Sequence, residues 1–210
     1  MTTARRVTAR PPRAPRSAAA AAAAALLGAA PAPAAPDGAY GRFDGDLDLG
    51  VGLGAELGAD PARAATRLTA HHFGTAGVAL GYADPLGAGP PSGRTLTLAA
   101  DLRPLFIPRW SNGLARGPAT LDLTLDALSL GLGPYFATGG SGPLGRERGL
   151  ELSLGLGLPL VGRASGPWFE ARGALQWGDG ARDPSPPARG AVVLLLTWHQ
   201  RVESALVPRR

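Results

Sequence analysis

Leu150-Glu151-Leu152-Ser153-Leu154-Gly155-Leu156-Gly157-Leu158-Pro159-Leu160 decides the fold class. Every even position is leucine, and every odd position is acidic, hydroxylic, glycine or proline. Successive side chains of a β-strand point to opposite faces, so this segment has one apolar face and one polar face, whereas a helix with its 3.6-residue period would mix the two sets. Four further runs repeat the arithmetic. From Phe43 to Leu57 the odd positions are Phe43, Gly45, Leu47, Leu49, Val51, Leu53, Ala55 and Leu57, opposite Asp44, Asp46, Asp48 and Glu56. Residues 94–107 set Leu96, Leu98, Leu102 and Phe106 against Asp101 and Arg103, and residues 166–177 set Phe169, Leu175 and Trp177 against Glu170 and Arg172. Residues 63–83 place Leu68, Val78, Leu80 and Tyr82 opposite Arg67, Thr69 and His71.

Two runs break step. In residues 119–136 leucine moves from odd positions (Leu121, Leu123, Leu125) to even ones (Leu128, Leu130, Leu132), and one extra residue in a strand does this, so a β-bulge is predicted near Ala127. Residues 190–203 open with apolar side chains on both faces and then set Trp198 against Thr197 and His199. Segments rich in Gly, Pro, Asp and Ser separate the runs. They suit hairpins and leave no room for crossover helices, so the expected sheet is an antiparallel up-and-down meander.

Composition narrows the chemistry. Of 210 residues 31 are Gly and 21 Pro, close enough to low-complexity levels that pattern must carry the argument. The absence of Cys excludes disulfide frameworks, thiolate zinc sites and cysteine nucleophiles, and three His leave little room for a metal centre, so no metal and no cofactor is expected. All 21 basic residues are Arg, and five of them (Arg5, Arg6, Arg10, Arg13, Arg16) precede the first acid, Asp37. The remaining sixteen match sixteen acids, so the positive charge belongs to the leader and does not indicate nucleic-acid binding. Residues 1–34 have the order of a secretory signal peptide: arginines to Arg16, an apolar run from Ser17 to Ala30, and Ala32-Pro33-Ala34 as a small-residue cleavage site. That leaves residues 35–210 as a single β-barrel domain.

A half-polar meander suits a soluble sandwich, a soluble barrel or a membrane barrel. The aromatics discriminate. Ten of the twelve, Tyr40, Phe43, Tyr82, Phe106, Trp110, Tyr135, Phe136, Trp168, Phe169 and Trp177, fall at or near run ends, where interfacial girdles of a bilayer place them. The apolar faces are leucine and the opposite faces carry charge, as expected of a lipid-facing wall around a polar lumen.

On these runs the chain resembles the small outer-membrane β-barrel proteins of Gram-negative bacteria, especially eight-stranded ones, over Phe43 to Glu203. The segments Asp101-Leu102-Arg103-Pro104-Leu105-Phe106 and Leu121-Asp122-Leu123-Thr124-Leu125-Asp126 look like the signature of an uncharacterised exported family. The resemblance implies a closed barrel of about eight strands in the outer membrane, with outer-membrane lipid as partner. Seven runs against an even strand number imply that residues 63–83 or 119–136 hide a second strand, or that one lies outside these runs.

The parity predicts lumen-lining residues: Asp44, Asp46, Asp48, Glu56, Arg67, Asp101, Arg103, Asp122, Asp126, Glu151, Glu170, Arg172, His199, Arg201 and Glu203. Eight strands enclose an interior just filled by side chains, so these charges are expected to pair, Asp101 and Arg103 with Arg172 and Glu170 among them. Asp44, Asp46 and Asp48 require Arg or a cation opposite, and they lack the tight Gly-containing turn of a calcium loop. Lipid A deacylases, barrels of the resembled class, use Ser, His and an acid. Here His71 and His72 face opposite ways, the His-x-Ser spacing is absent, and Ser129 and Ser153 have no partner legible in the sequence, so no catalytic residues and no enzymatic activity are expected. Gly50 to Gly54 lies within a strand, which excludes a phosphate-cradling loop. The expected role is structural or interactive within the envelope, toward an unknown envelope protein or small ligand. A small-solute pore or lipid A-modifying enzyme is one alternative; a soluble periplasmic lipocalin-like barrel, with the leucines turned inward, is the other.

Overall fold

The computed structural model describes residues 39–58, 62–85, 93–138, 143–178 and 188–204. The expected signal peptide lies outside the described residues. Eight strands, β1 (Leu47–Leu57), β2 (Arg63–His72), β3 (Ala76–Pro85), β4 (Thr95–Leu102), β5 (Ser129–Thr138), β6 (Leu144–Pro159), β7 (Gly166–Gly178) and β8 (Arg189–Val202), pair in sequence order, and β8 pairs back onto β1 to close an antiparallel barrel. Two helices, α1 (Phe106–Ser111) and α2 (Ala119–Asp126), occupy the β4–β5 connection.

The hidden strand lies in residues 63–83. Phe73 and Gly74 both take positive φ (46° and 64°), Thr75 N–H donates to the His72 carbonyl at 3.0 Å, and the chain reverses into β3. Positive φ at a bulky residue is costly, and a bond from Phe73 N–H to the Asp46 carbonyl (2.7 Å) helps hold it. Because the three-residue turn preserves parity, the apolar face passes from Leu68 to Val78 without a break.

Residues 119–126 correct the predicted strand: they form α2, and Ala127 follows the helix as its C-terminal cap residue, with no bulge there. Pro118 supplies the extended entry (φ −59°, ψ 134°), and nothing from Ala119 to Asp126 interrupts a helix. Asp122 and Asp126, four apart, share one helical face with Leu123 beside them, and that face is buried while Leu121 and Leu125 turn outward. The register shift occurs instead between Ala137 and Thr138.

The wall follows the alternation. The β6 leucines from Leu150 to Leu160 are 42–53% exposed, whereas Glu151 and Ser153 between them are buried. Val51, Leu53, Leu68, Leu80, Leu98, Leu132, Leu175 and Leu196 also face out. This removes the lipocalin-like alternative, which needs those side chains inside. Glycine on the inner face lets the narrow tube curve: at Gly54 and Gly133 a Cβ would run into the carbonyl oxygens of Leu194 and Leu98 on the neighbouring strands.

Candidate functional site

Charged and polar side chains from seven of the eight strands fill the bore in tiers. Near the end of the barrel at which β1 ends and β2 begins, its mouth, Arg63 pairs with Glu56 (3.3 Å) and Gln176 donates to Glu151 (2.8 Å). At mid-height Asp101, 1% exposed, accepts from Arg67 (2.6 Å) and Arg172 (2.9 Å). Arg172 also donates to Ser153 (3.0 Å) and Ser129 (2.8 Å), so both hydroxyls accept from a guanidinium. The next tier centres on Asp48, which accepts from Arg103 (2.9 Å) and lies 3.1 Å from His199 Nδ1, with Arg201 at 3.8 Å. The other ring nitrogen of His199 meets Glu170 at 2.9 Å. Both nitrogens of this imidazole are therefore engaged by carboxylates, which positions it as a bridge between acids and not as a base facing a hydroxyl. His71, wholly buried, lies with Nε2 4.0 Å from Asp101.

Below these tiers the β4–β5 connection closes the bore. Arg109 donates to Asp126 (2.8 Å) and Asp122 (2.6 Å), and Arg42, from the segment before β1, pairs with Asp126. The Arg42 guanidinium also covers the rings of Tyr40 and Phe106, whose centroids lie 5.4 and 4.9 Å away. Tyr40 donates to the Gly117 carbonyl at 2.8 Å and packs with Leu123, Ala127, Ala164 and Trp168. Burial draws Arg42 below its ordinary pKa and pushes the Asp126 carboxyl up, in each case against the opposing pull of their mutual charge. Burial, then the bond to Asp122, raises the Tyr40 phenol. Spaces within the bore are small: about 40 Å³ near the mouth, about 20 Å³ beside the cap and about 10 Å³ between. A water needs roughly 10–15 Å³, so each of these three spaces has the size of one to a few waters.

Most sequence-predicted lining residues meet in these tiers: Asp48, Glu56, Arg67, Asp101, Arg103, Glu151, Glu170, Arg172, His199 and Arg201. The pairing differs from expectation in one respect. Asp101 does reach Arg172, but Arg103 turns to Asp48, and Glu170 to His199. Asp122 and Asp126 are buried, though as part of the helical cap. Asp44 is not in the lumen: it is exposed and lies 3.7 Å from Arg163. Strand parity begins only at Leu47, and Asp44 belongs to the turn before it. Asp46 ties to the backbone N–H and hydroxyl of Ser204, and these bonds hold its carboxyl below the usual range. Glu203 is exposed just past the end of β8.

The aromatics divide. Phe43, Trp110, Phe169 and Trp177 are exposed and Tyr82 and Phe136 half-exposed, but Tyr40, Phe106, Tyr135 and Trp168 are buried and not interfacial. Tyr135 and Trp168 sit at inward positions of their strands, and Tyr40 and Phe106 are under the cap. Arg42 and Arg109 escaped the sequence reading because neither lies in an alternating run; the one available signal was their closeness to aromatics outside the strands.

No protein-family model matches the chain, and no curated protein does. A solved structure described as the outer membrane enzyme PagL is similar at 16% identity and a TM-score of 0.38, covering 74% of this chain and 99% of that one. The likeness concerns the barrel alone. The expectation that this chain has no enzymatic activity is withdrawn: a solved barrel is described as an enzyme, so a barrel architecture gives no ground for excluding activity.

Proposed function

We propose that this chain is an exported outer-membrane β-barrel with a structural or interaction role in the cell envelope, working through its outer wall and its ends and not through its bore. The observation that carries the reading is the leucine sleeve of a closed barrel whose charged side chains along the middle of the strands turn inward. In water that arrangement exposes a large apolar surface to no purpose and buries charges at a cost, whereas in lipid it satisfies the backbone and the wall together. Strands of 8–16 residues compare with the roughly 9–11 a tilted strand needs to cross hydrocarbon. Outward aromatics bracket the sleeve, Tyr82, Phe136 and Trp177 toward the mouth and Phe43, Trp110 and Phe169 toward the cap. A second reading, a lipid-handling barrel, is favoured by an apolar depression in the same wall, lined by Leu152, Leu154, Leu175 and Val192 around Gly173.

Single cysteines at adjacent positions test the proposal, since the chain has none of its own. In isolated outer membranes Leu154→Cys should react with a lipid-soluble maleimide and not with a water-soluble one, and Ser153→Cys should react with neither. Reaction of Leu154→Cys with the water-soluble reagent, or recovery of the protein in the periplasmic fraction, would refute the membrane reading.

A further inference from the structure

Arg201, near the end of β8, is a buried base with too few acceptors. Its side chain is 6% exposed, and it lines the space of about 20 Å³ beside the cap. Its Nε and one terminal nitrogen are enclosed and have no hydrogen-bond partner among the described residues. The ion-pair partner, Asp48, lies at 3.8 Å, too far for a hydrogen bond. Both Asp48 oxygens are already committed, Oδ2 to Arg103 at 2.9 Å and Oδ1 to His199 at 3.1 Å. Arg103 lines the same space, and its own Nε is a further enclosed donor without an acceptor. Gly74, in the β2–β3 turn, closes over the Arg201 guanidinium: a Cβ there would come within 2.6 Å of a terminal nitrogen, so glycine leaves the guanidinium its place.

Charge points the same way. Both nitrogens of His199 lie within hydrogen-bond distance of a carboxylate, Asp48 on one side and Glu170 on the other, so two protons sit among these three groups. A neutral imidazole supplies one of them, and the second cancels one of the two acid charges. Arg103 and Arg201 therefore carry two positive charges and face a single net negative one. Other acids at this end and above it are engaged: Asp126 with Arg42 and Arg109, Asp46 with Ser204, and Asp101 with Arg67 and Arg172. Arginine only donates, so neither Arg103 nor Arg201 can satisfy the other. Water can accept from both, but it brings no charge to a place where an unmatched one is costly.

We propose that the space between Arg201, Arg103 and the cap binds one monatomic anion of the halide class, which accepts from the free N–H groups of both guanidiniums and balances their charge. The space has room for a halide, a little larger than a water, and none for a phosphate or a carboxylic acid. Phe106, Leu123, Ala164 and Trp168 complete the wall, and in such apolar surroundings a charge-assisted hydrogen bond is strong. The ion is structural: it ties β8 to the β4–β5 connection that carries the cap. The site lies inside the barrel, so it stands whether lipid or water surrounds the wall.

Two measurements on the full chain refolded into detergent micelles test it. Crystals grown in sodium bromide should show an anomalous peak within hydrogen-bond distance of Arg201 Nε; density there without anomalous signal is a water and overturns the site. Unfolding followed by tryptophan fluorescence should depend on chloride: above half-saturation each tenfold rise should lower the unfolding equilibrium constant about tenfold, the linkage of one bound ion. Methanesulfonate at equal ionic strength, too large for the space, should lack this dependence, and Arg201→Gln should lose it. Equal dependence on the two salts, or a chloride dependence that survives in Arg201→Gln, overturns the proposal. A bromide peak without the chloride dependence marks an adventitious ion only and overturns it too. Both measurements on the parent decide the matter if Arg201→Gln does not fold.

Discussion

Asp101→Ala is the most informative single change in the bore. The carboxylate is 1% exposed and accepts from two guanidiniums, Arg67 at 2.6 Å and Arg172 at 2.9 Å, both also buried. Two hydrogen bonds to charged groups are worth about 1.5–3 kcal/mol each. Removing the acid also leaves two like charges facing one another with no counter-ion between them, and loss of one partner of a buried pair typically costs about 3–5 kcal/mol. The two routes agree on roughly 4 kcal/mol, or nearly a thousandfold in the unfolding equilibrium. Reversible urea unfolding of vesicle-embedded protein, followed by tryptophan fluorescence, measures it. The triple variant Asp101→Leu/Arg67→Met/Arg172→Met, which removes the charges together, should recover much of the loss, because a well-packed apolar replacement of a buried ion cluster is often neutral or stabilising. An Asp101→Ala midpoint within about 1 kcal/mol of the parent would mean that the arginines reach water or other acids, and the tiered account of the bore would be wrong.

In planar bilayers the parent should show no steady ion conductance, and replacing residues 106–126 by a short Gly/Ser linker should not create any, because the Arg67–Asp101–Arg172 tier blocks the tube above the cap; a stable conducting level from the parent would contradict the sealed bore. Asp46 has its pKa lowered by Ser204, so its contribution is present above the unfolded value near 3.8 and is lost as pH falls through the lower folded value. The stability difference between parent and Asp46→Asn should therefore be largest near neutrality and shrink below about pH 4, and a difference unchanged between pH 7 and pH 2.5 would show that the Ser204 tie does not depend on charge.

The alternating runs were legible because strand period and burial coincide: where one face meets the bore and the other the outside, leucine and charge must take opposite parities. From Leu150 to Pro159, and from Leu49 to Leu57, reading parity amounted to reading the wall. The method failed where parity ceased to mean strand. Leu121-Asp122-Leu123-Thr124-Leu125-Asp126 alternates as strictly as any strand, yet spacing of four also places Asp122 and Asp126 on one helical face, and only the arginines waiting there choose between the two. Asp44 and Asp46 continue the β1 alternation in sequence but precede the strand in space. Tyr135 and Trp168 lie near run ends, where the sequence predicts an interface, although their parity turns them inward.

The sequence by itself determined strand period, the face each side chain takes and the antiparallel meander, since these depend on neighbours two residues apart and on turn chemistry between them. Closure of β8 onto β1, the partners of Asp48 and Asp101, and the helical cap depend on residues far apart in the chain, such as Asp48 and His199, which are 151 positions apart. Those contacts have no local signature, because a buried charge specifies only that a partner exists, and the three-dimensional path of the chain decides which one arrives.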